Sequence, residues 1–276
     1  MVTPSHLRTG IPVDEVSFLE LLDLEQHGPD TYVGIAPRYP WGRLFGGQVI
    51  AQALRAAMHT VEEGFAPHSL HAYFIRGGTH EEPVRFEVDR LRNGRSFIAR
   101  SVVARQSSGA ILHLSASFQK DESDAPDVTP VAMPEAAPPD SASDDGWGGM
   151  VDRRKVLRED GRVHMWVRLT QTDPLPDQRL AACALAFLSD TTMSEPPRSI
   201  HPLQVDRAEL LDTFVGASLD HAMHFHRPCD PTGWILADSE AQTLVGSRGL
   251  SAGRMFAPDG THLATVSQEV LLRIRR

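Results

Sequence analysis

Residues 178–190, QRLAACALAFLSD, form the stretch that decides the fold. Apolar residues run without a break from Leu180 to Leu188, so a helix here is apolar all round and must be buried on every side. The run is nine residues long, about half of the ~20 that a membrane-spanning helix needs. The stretch therefore predicts the central helix of a globular core.

Segments with the composition or alternation of β-strands surround this helix, and Gly or other turn residues bound them. One segment precedes the helix at 163–172, and four follow it at 218–228, 234–246, 247–260 and 261–275. The helix must hide all round and a sheet hides one face, so a strongly curved antiparallel sheet wrapped around the helix satisfies both. The expected fold class is α+β.

The first half of the chain shows the same order of elements. Gly46-Gly47 precede VIAQALRAAMHT (49–60), whose apolar residues follow helical spacing. Strand-like segments come next at 68–78, 84–94, 95–109 and 110–120. The order of elements and short local similarities indicate an internal duplication. We therefore expect two long central helices, each wrapped by a curved antiparallel β-sheet, with the two units paired through edge strands.

An acidic, proline-rich stretch separates the halves. Residues 121–146 contain eight Asp or Glu, five Pro and no Lys or Arg, a composition typical of a solvated linker. The net charge is −9, and −9 − (−8) leaves −1 for the rest, with no basic footprint for nucleic acid. We expect an N-terminal domain at 15–120, a linker at 121–150 and a C-terminal domain at 151–276.

The termini and the cysteines favour a cytoplasmic protein. The first twelve residues lack the apolar core of a signal peptide, and the last four, Arg-Ile-Arg-Arg, are not a peroxisomal Ser-Lys-Leu signal. Cys183 and Cys229 have neither disulfide nor metal spacing, and we expect both to be inert thiols.

Three polar residues stand out in the apolar C-terminal half. Asp190 ends the helix segment, Ser218 opens SLDHAMHFHRP, and Gln268 lies in ATVSQEVLL. A carboxylate, a hydroxyl and an amide can together hold a water molecule against a carbonyl. Taken singly, each has a simpler explanation: a helix end in solvent, a strand-edge hydroxyl and an outward-facing strand residue.

Other parts of the sequence argue against a metal site, a serine nucleophile elbow and a nucleotide-binding loop. His221, His224 and His226 have no nearby cysteine or carboxylate to complete a tetrahedral set, so we expect a packed strand and no metal. His221 is expected on the strand face opposite to the other two. The chain has no G-x-S-x-G elbow, and residues 42–47 are neither a P-loop nor a dinucleotide motif. Those residues are expected to begin the first helix and leave backbone N–H groups available.

Five segments resemble the acyl-CoA thioesterase II family, the double hotdog thioesterases. They are LFGGQVIAQAL (44–54), HSLHAYFIR (68–76), LRNGRSF (91–97), SASFQ (115–119) and DHAMHFHRP (220–228). The resemblance implies a double hotdog fold and hydrolysis of fatty acyl-CoA thioesters to free acid and CoA, by direct attack of water and without a cofactor. It makes Asp190, Ser218 and Gln268 the catalytic residues. Gly46, Gly47 and Gln48 are candidate substrate-binding residues, and the candidate oxyanion donors are backbone N–H groups near Gly46-Gly47 or at the second helix. Assembly into a dimer of double hotdogs is a further implication.

The sequence departs from the family pattern at two places. Two other functions also remain as alternatives. The segment 191–217 is a few residues longer than in relatives, and His224 stands where an aromatic residue is common. A hotdog hydratase or dehydratase is one alternative, although position 195 is Glu, so no D-x-x-x-x-H pattern begins at Asp190. A catalytically silent acyl-CoA-binding protein is the other. Release of free CoA thiol would distinguish all three.

Overall fold

The computed structural model describes residues 8–122, 124–171, 175–203, 205 and 209–275. Some sequence interpretations lie outside the described residues. They concern the first seven residues, position 123 of the linker, the end of the strand expected at 163–172, positions 204 and 206–208 of the 191–217 segment, and Arg276. Within the described ranges, no helix is long and apolar enough to cross a membrane.

Strands dominate the described part of the chain. In chain order they are β1 (Thr9–Pro12), β2 (Glu25–Gly28), β3 (Thr31–Gly34), β4 (Ala36–Arg38), β5 (Phe65–Phe74), β6 (Val84–Asn93), β7 (Phe97–Gln106), β8 (Gly109–Lys120), β9 (Val151–Glu159), β10 (Arg162–Leu169), β11 (Phe214–Ser218), β12 (Asp220–Phe225), β13 (Ile235–Val245), β14 (Arg248–Phe256) and β15 (His262–Ile274). The helices are α1 (Phe18–Leu22), α2 (Gly46–Met58), α3 (Gln178–Asp190), α4 (Glu195–Ser199) and α5 (Leu210–Thr213), with 3-10 turns at Val13–Glu15 and Pro139–Ser141.

One antiparallel sheet runs through both halves of the molecule. Its order is β2-β3-β6-β7-β8-β5-β12-β15-β14-β13-β10-β9, and β11 also pairs with β15. The halves meet where β5 pairs with β12, with Tyr73 opposite Asp220 and Ser69 opposite His224. The expected pairing of the two units through edge strands is therefore confirmed.

The two 13-residue helices α2 and α3 pack against each other and run antiparallel. Asp177 caps α3 by accepting the Leu180 N–H at 2.8 Å, and from Leu180 onward all residues but Ala182 are buried. At one end, Cys183 Sγ lies 3.7 Å from Met58 Sδ. At the other, a Cβ added to Gly47 would lie 2.7 Å from the Phe187 carbonyl oxygen. The start of α2 therefore meets the end of α3.

Some elements differ from the sequence expectation. The segment from Thr9 to Arg38 forms four short strands and a helix that the sequence pattern did not predict. The strand β9 at Val151–Glu159 was also not predicted. Ser218 ends β11, so the expectation that it opens a strand is wrong. Leu219 interrupts the strand because its N–H donates to the Glu269 carbonyl at 2.8 Å while its own carbonyl accepts from Phe74 at 3.0 Å.

The end of the expected linker, 121–150, belongs to the core. Most described residues from 121 to 145 are exposed, but Trp147 is buried among aromatic rings of both halves. Its ring centroid is 5.0 Å from that of Phe45 and 6.3 Å from that of Phe187. This cluster lies beside the contact between the start of α2 and the end of α3.

Candidate active site

Asp190 is the last residue of α3 and does not emerge into solvent. It is only 7% exposed, so its explanation as a solvated helix end is wrong. An ionised carboxylate in such a place needs hydrogen bonds or a route to water. Its Oδ1 accepts a hydrogen bond from Ser218 Oγ at 3.3 Å. Its Oδ2 faces the start of α2, where a Cβ on Gly46 would lie 2.8 Å away.

Gln268 connects to this pair from β15. Burial alternates along β15, and Gln268 takes an inward position between Val266 and Val270 with 1% exposure. The explanation of Gln268 as an outward-facing residue is therefore wrong. Its Nε2 donates to Ser218 Oγ at 2.9 Å. Amide, hydroxyl and carboxylate thus form one chain of hydrogen bonds that ends on Asp190.

His221 continues the chain on the other side of Gln268. It lies on the inward face of β12, is fully buried, and places Nδ1 2.5 Å from Gln268 Oε1. Its Nε2 lies 2.9 Å from the hydroxyl of Ser189, the residue before Asp190. Sequence reasoning placed His221 correctly on the face opposite to the exposed His224 but missed its contact with Gln268. The alternation with Met223 indicates that His221 faces inward, but it does not identify the residues that His221 contacts.

Burial controls the charge of His221. Desolvation lowers the pKa of the imidazole, while Asp190, the hydrogen bond with Gln268 and Asp220 act in the opposite direction. The net direction is downward, so the ring is neutral near pH 7.

The neighbouring Asp220 does not contact the His221 ring nitrogens. Its Oδ1 accepts the Glu269 N–H at 2.7 Å, and its Oδ2 lies 3.1 Å from His71 Nε2. These bonds tie β12 to β15 and to β5 at the junction of the two halves.

The start of α2 contributes the side of the site that faces Asp190 Oδ2. The first N–H groups of a helix have no partner inside the helix, and Phe45 at the N-cap offers no side-chain acceptor. Gly46 and Gly47 have no Cβ, so neighbouring side chains can approach the backbone closely at this point. The Gln48 side chain points elsewhere, because its Nε2 donates to the Ile35 carbonyl at 3.2 Å and to Gln52 Oε1 at 3.1 Å.

The remaining histidines of β12 stand apart from this network. His224 is exposed, and His226 lies just after the strand with its Nε2 2.9 Å from Thr265 Oγ1. Among the described residues, no group of three or more His, Cys, Asp or Glu is arranged to hold a metal ion. The site is therefore built from a carboxylate, a hydroxyl, an amide and a neutral imidazole.

Fold and site together define a hotdog-type hydrolase, and comparison with known proteins gives the family. A family model for the acyl-CoA thioesterase N-terminal domain matches residues 35–119, and one for the C-terminal domain matches residues 122–272. The chain belongs to the acyl-CoA thioesterase family, so the family and the hydrolase activity expected from the sequence are confirmed.

Individual relatives agree with this assignment. Acyl-CoA thioesterase 2 of Haemophilus influenzae is 31% identical over 93% of this chain and 97% of its own length. A crystal structure of an acyl-CoA thioesterase II from Mycobacterium marinum matches with a TM-score of 0.82 at 36% identity, covering 94% of this chain and 99% of that one. A hotdog-fold protein from Alicyclobacillus acidocaldarius, 22% identical with a TM-score of 0.75 and coverage of 95% and 100%, shares the fold.

Proposed function

We propose that the protein hydrolyses fatty acyl-CoA thioesters to free fatty acid and CoA by direct attack of water on the thioester carbonyl. The observation that carries the proposal is the hydrogen-bond chain from Gln268 through Ser218 to Asp190, with Asp190 Oδ2 turned toward the start of α2. A water molecule bound at Oδ2 has a base on one side and backbone N–H groups on the other.

Each residue has a distinct role in this mechanism. Asp190 accepts a proton from the attacking water as general base. Ser218 and Gln268 hold the carboxylate and the water in place, so that water attacks from a fixed position. The backbone N–H groups at Gly46 and Gly47 stabilise the oxyanion that forms as the carbonyl carbon becomes tetrahedral. The C–S bond then breaks as the tetrahedral intermediate collapses to the free acid, and Asp190 returns the proton to the departing sulfur, so that CoA leaves as the thiol.

Gln48 enters the proposal through its backbone only. Its side chain is occupied within the core, whereas its N–H belongs to the first turn of α2 together with those of Gly46 and Gly47. The three residues therefore form the substrate-binding turn by their main chain. An oxyanion at this turn also benefits from the positive end of the helix dipole.

The organisation of the chain forms a second part of the proposal. Each 13-residue helix is the central helix of one hotdog unit, with units at 15–120 and 151–276 and a linker at 121–150. The order of strands supports this division, because β2, β3 and β5–β8 occupy one run of the sheet and β9–β15 occupy another. A role in lipid metabolism and assembly into a homodimer are what the family resemblance implies, and a cytoplasmic location is a further part of the proposal.

Substitution of the base tests the proposal directly. Asp190→Asn keeps the shape of the side chain but removes the proton acceptor, so release of CoA thiol from a panel of acyl-CoAs should fall by about 100-fold or more. Asp89→Asn, at an exposed position of β6, is the matched control and should keep wild-type turnover. Wild-type turnover in a folded Asp190→Asn variant would remove Asp190 from the mechanism. Hydration of an enoyl-CoA without thiol release would favour the hydratase alternative.

A further inference from the structure

His221 is a buried imidazole whose two nitrogens are both engaged, yet the proposed mechanism gives it no role. Nε2 contacts Ser189 Oγ and Nδ1 contacts Gln268 Oε1. A neutral imidazole carries one N–H and one acceptor nitrogen. The position of that single proton therefore decides which way each hydrogen bond of the network points.

With the proton on Nδ1, every group in the chain has a matching partner. His221 Nδ1–H donates to Gln268 Oε1, which leaves Gln268 Nε2 to donate to Ser218 Oγ. The hydroxyl hydrogen of Ser218 is then free to donate to Asp190 Oδ1. Nε2 accepts from the Ser189 hydroxyl, whose single hydrogen then turns away from the Ala186 carbonyl 2.8 Å away. The carboxylate receives a hydrogen bond on one oxygen and keeps the other for water.

With the proton on Nε2, the hydrogen bonds between His221, Gln268 and Ser218 point in the opposite direction. Ser189 then accepts from His221 and donates to the Ala186 carbonyl, which lies 2.8 Å from its hydroxyl. Nδ1 becomes an acceptor, so the Gln268 amide must turn and present its oxygen to Ser218. The single hydrogen of the Ser218 hydroxyl now goes to Gln268, and the Asp190 carboxylate loses its donor.

We propose that His221 is a positioning residue whose Nδ1–H tautomer orients Gln268 and thereby makes Ser218 donate to Asp190. The inference rests on the proposed function, in which Asp190 is the base. Three charged or titratable groups face the ring: Asp190 from α3, Asp220 from its own strand and His71 from β5. Asp220 and His71 bond to each other, and among the described residues Ser189 and Gln268 are the partners of the ring nitrogens.

Two amide substitutions separate the two nitrogens of the ring. His221→Asn places an amide at the position of Nδ1 and can still donate to Gln268, whereas His221→Gln places its amide at the position of Nε2. We expect His221→Asn to keep kcat within about threefold of wild type and His221→Gln to lose about tenfold or more, with KM changed less than kcat in both. Thermal unfolding measures the stability that each variant loses, because both replace the same buried ring.

A measurement on the unaltered protein keeps the inference testable if the variants fold poorly. Nitrogen-15 NMR of histidine-labelled protein should show the His221 proton on Nδ1, and Ser189→Ala, which removes the donor to Nε2, should weaken that preference. A proton on Nε2 in the wild type, or equal kcat in the Asn and Gln variants at equal stability, would overturn the inference. Wild-type turnover in Asp190→Asn would instead remove Asp190 as the base of the proposed mechanism, and the tautomer measurement separates the two failures.

Discussion

At Gly46 the first turn of α2 lies beside the Asp190 carboxylate. A Cβ at this position would lie 2.8 Å from Asp190 Oδ2 and 2.8 Å from a ring carbon of Phe74. Both neighbours are side chains that can move, so Gly46→Ala should fold but displace the carboxylate. We expect kcat to fall by about tenfold, equal to about 1.4 kcal/mol of activation free energy, with little change in the thermal midpoint.

The control for Gly46→Ala is a glycine with more space. At Gly233 the nearest atom to an added Cβ is the Asp230 carbonyl oxygen at 3.5 Å, an ordinary contact, so Gly233→Ala should keep wild-type kcat. Thiol release at saturating acyl-CoA measures both variants. Unchanged kcat in Gly46→Ala would mean that the carboxylate does not depend on the open backbone at this turn.

Glu195, at the start of α4, is a buried carboxylate that two basic side chains hold in its ionised form. Burial alone would raise its pKa, but Arg198 and Lys155 outweigh burial and bring it to about 2. Lys155 Nζ lies 2.7 Å from Oε2 and Arg198 Nη1 lies 2.8 Å from Oε1. Because the pKa in the folded protein lies below its ordinary value of 4.5, the ionised form stabilises the fold. That contribution is complete above about pH 4.5 and is lost as the pH falls toward 2.

Glu195→Gln should therefore have a pH-dependent effect on stability. Near pH 7 the variant should unfold with about 3 kcal/mol less free energy, since it leaves Lys155 and Arg198 without their carboxylate. The difference should narrow as the pH falls below about 4.5, because wild type then loses the same charge. Urea unfolding at several pH values measures it, with Glu62→Gln on the surface as the control. A difference that stays constant between pH 7 and pH 3 would contradict this explanation.

At the scale of elements, Gly47 sets how closely α2 approaches α3. A Cβ here would lie 2.7 Å from the Phe187 carbonyl oxygen and 2.5 Å from the Phe45 ring. One of these neighbours is backbone, so the helices must move apart. Gly47→Ala should lower the free energy of unfolding by about 1–3 kcal/mol, the usual range for overpacking. The better helix propensity of Ala offsets at most about 1 kcal/mol of this loss.

The adjacent glycines make a matched pair. Urea unfolding of Gly46→Ala and Gly47→Ala should show the larger stability loss at position 47, while kcat should fall at position 46 even where folding is intact. Gly233→Ala again supplies the reference for a harmless substitution. Equal stability of all three variants would show that the helix contact tolerates a methyl group and that Gly47 is not needed for packing.

The sequence predicts best those helices and strands whose stabilising residues lie within the segment itself. The helix expected at 178–190 has the observed bounds of α3, because its cap at Asp177 and its apolar run lie within the segment itself. The short strands β2 and β3 were missed because β3 depends on pairing with β6, far along the chain, and β2 pairs in turn with β3. Ser218 was placed at the wrong end of a strand for a similar reason, since contacts of Leu219 with Phe74 and Glu269 create the break.

The candidate site was predictable in part for the same physical reason. Asp190, Ser218 and Gln268 follow from an apolar context and the family motifs, and the structure brings all three together. The role inferred for His221 depends on Ser189 and Gln268, which are 32 and 47 residues away along the chain. No periodicity in a single strand carries that information.

At the scale of the whole molecule, the two halves share their sheet, their helix contact and their site. The sheet is continuous because β5 pairs with β12, and the helices meet where Gly47 lies against Phe187. In the site, Gly46 of the first half lies beside Asp190 of the second half. If one half unfolded alone, it would expose an unpaired strand edge and the apolar face of the remaining helix. The shared sheet, helix contact and site therefore predict one cooperative unit despite the separate sequence patterns.

Coincident unfolding of the two halves is the corresponding test. A variant that keeps only Trp41 reports on the first half, and one that keeps only Trp166 reports on the second, where Trp166 packs with Leu236 and Phe256. Urea transitions followed by these two fluorescence signals, by far-UV circular dichroism and by loss of thiol release should share one midpoint after correction for the stability of each variant. If the Trp41 signal and activity were lost while the Trp166 signal persisted, the second half would be stable by itself. In that case the β5–β12 and α2–α3 contacts would join two independent domains, since their loss would leave the C-terminal core intact.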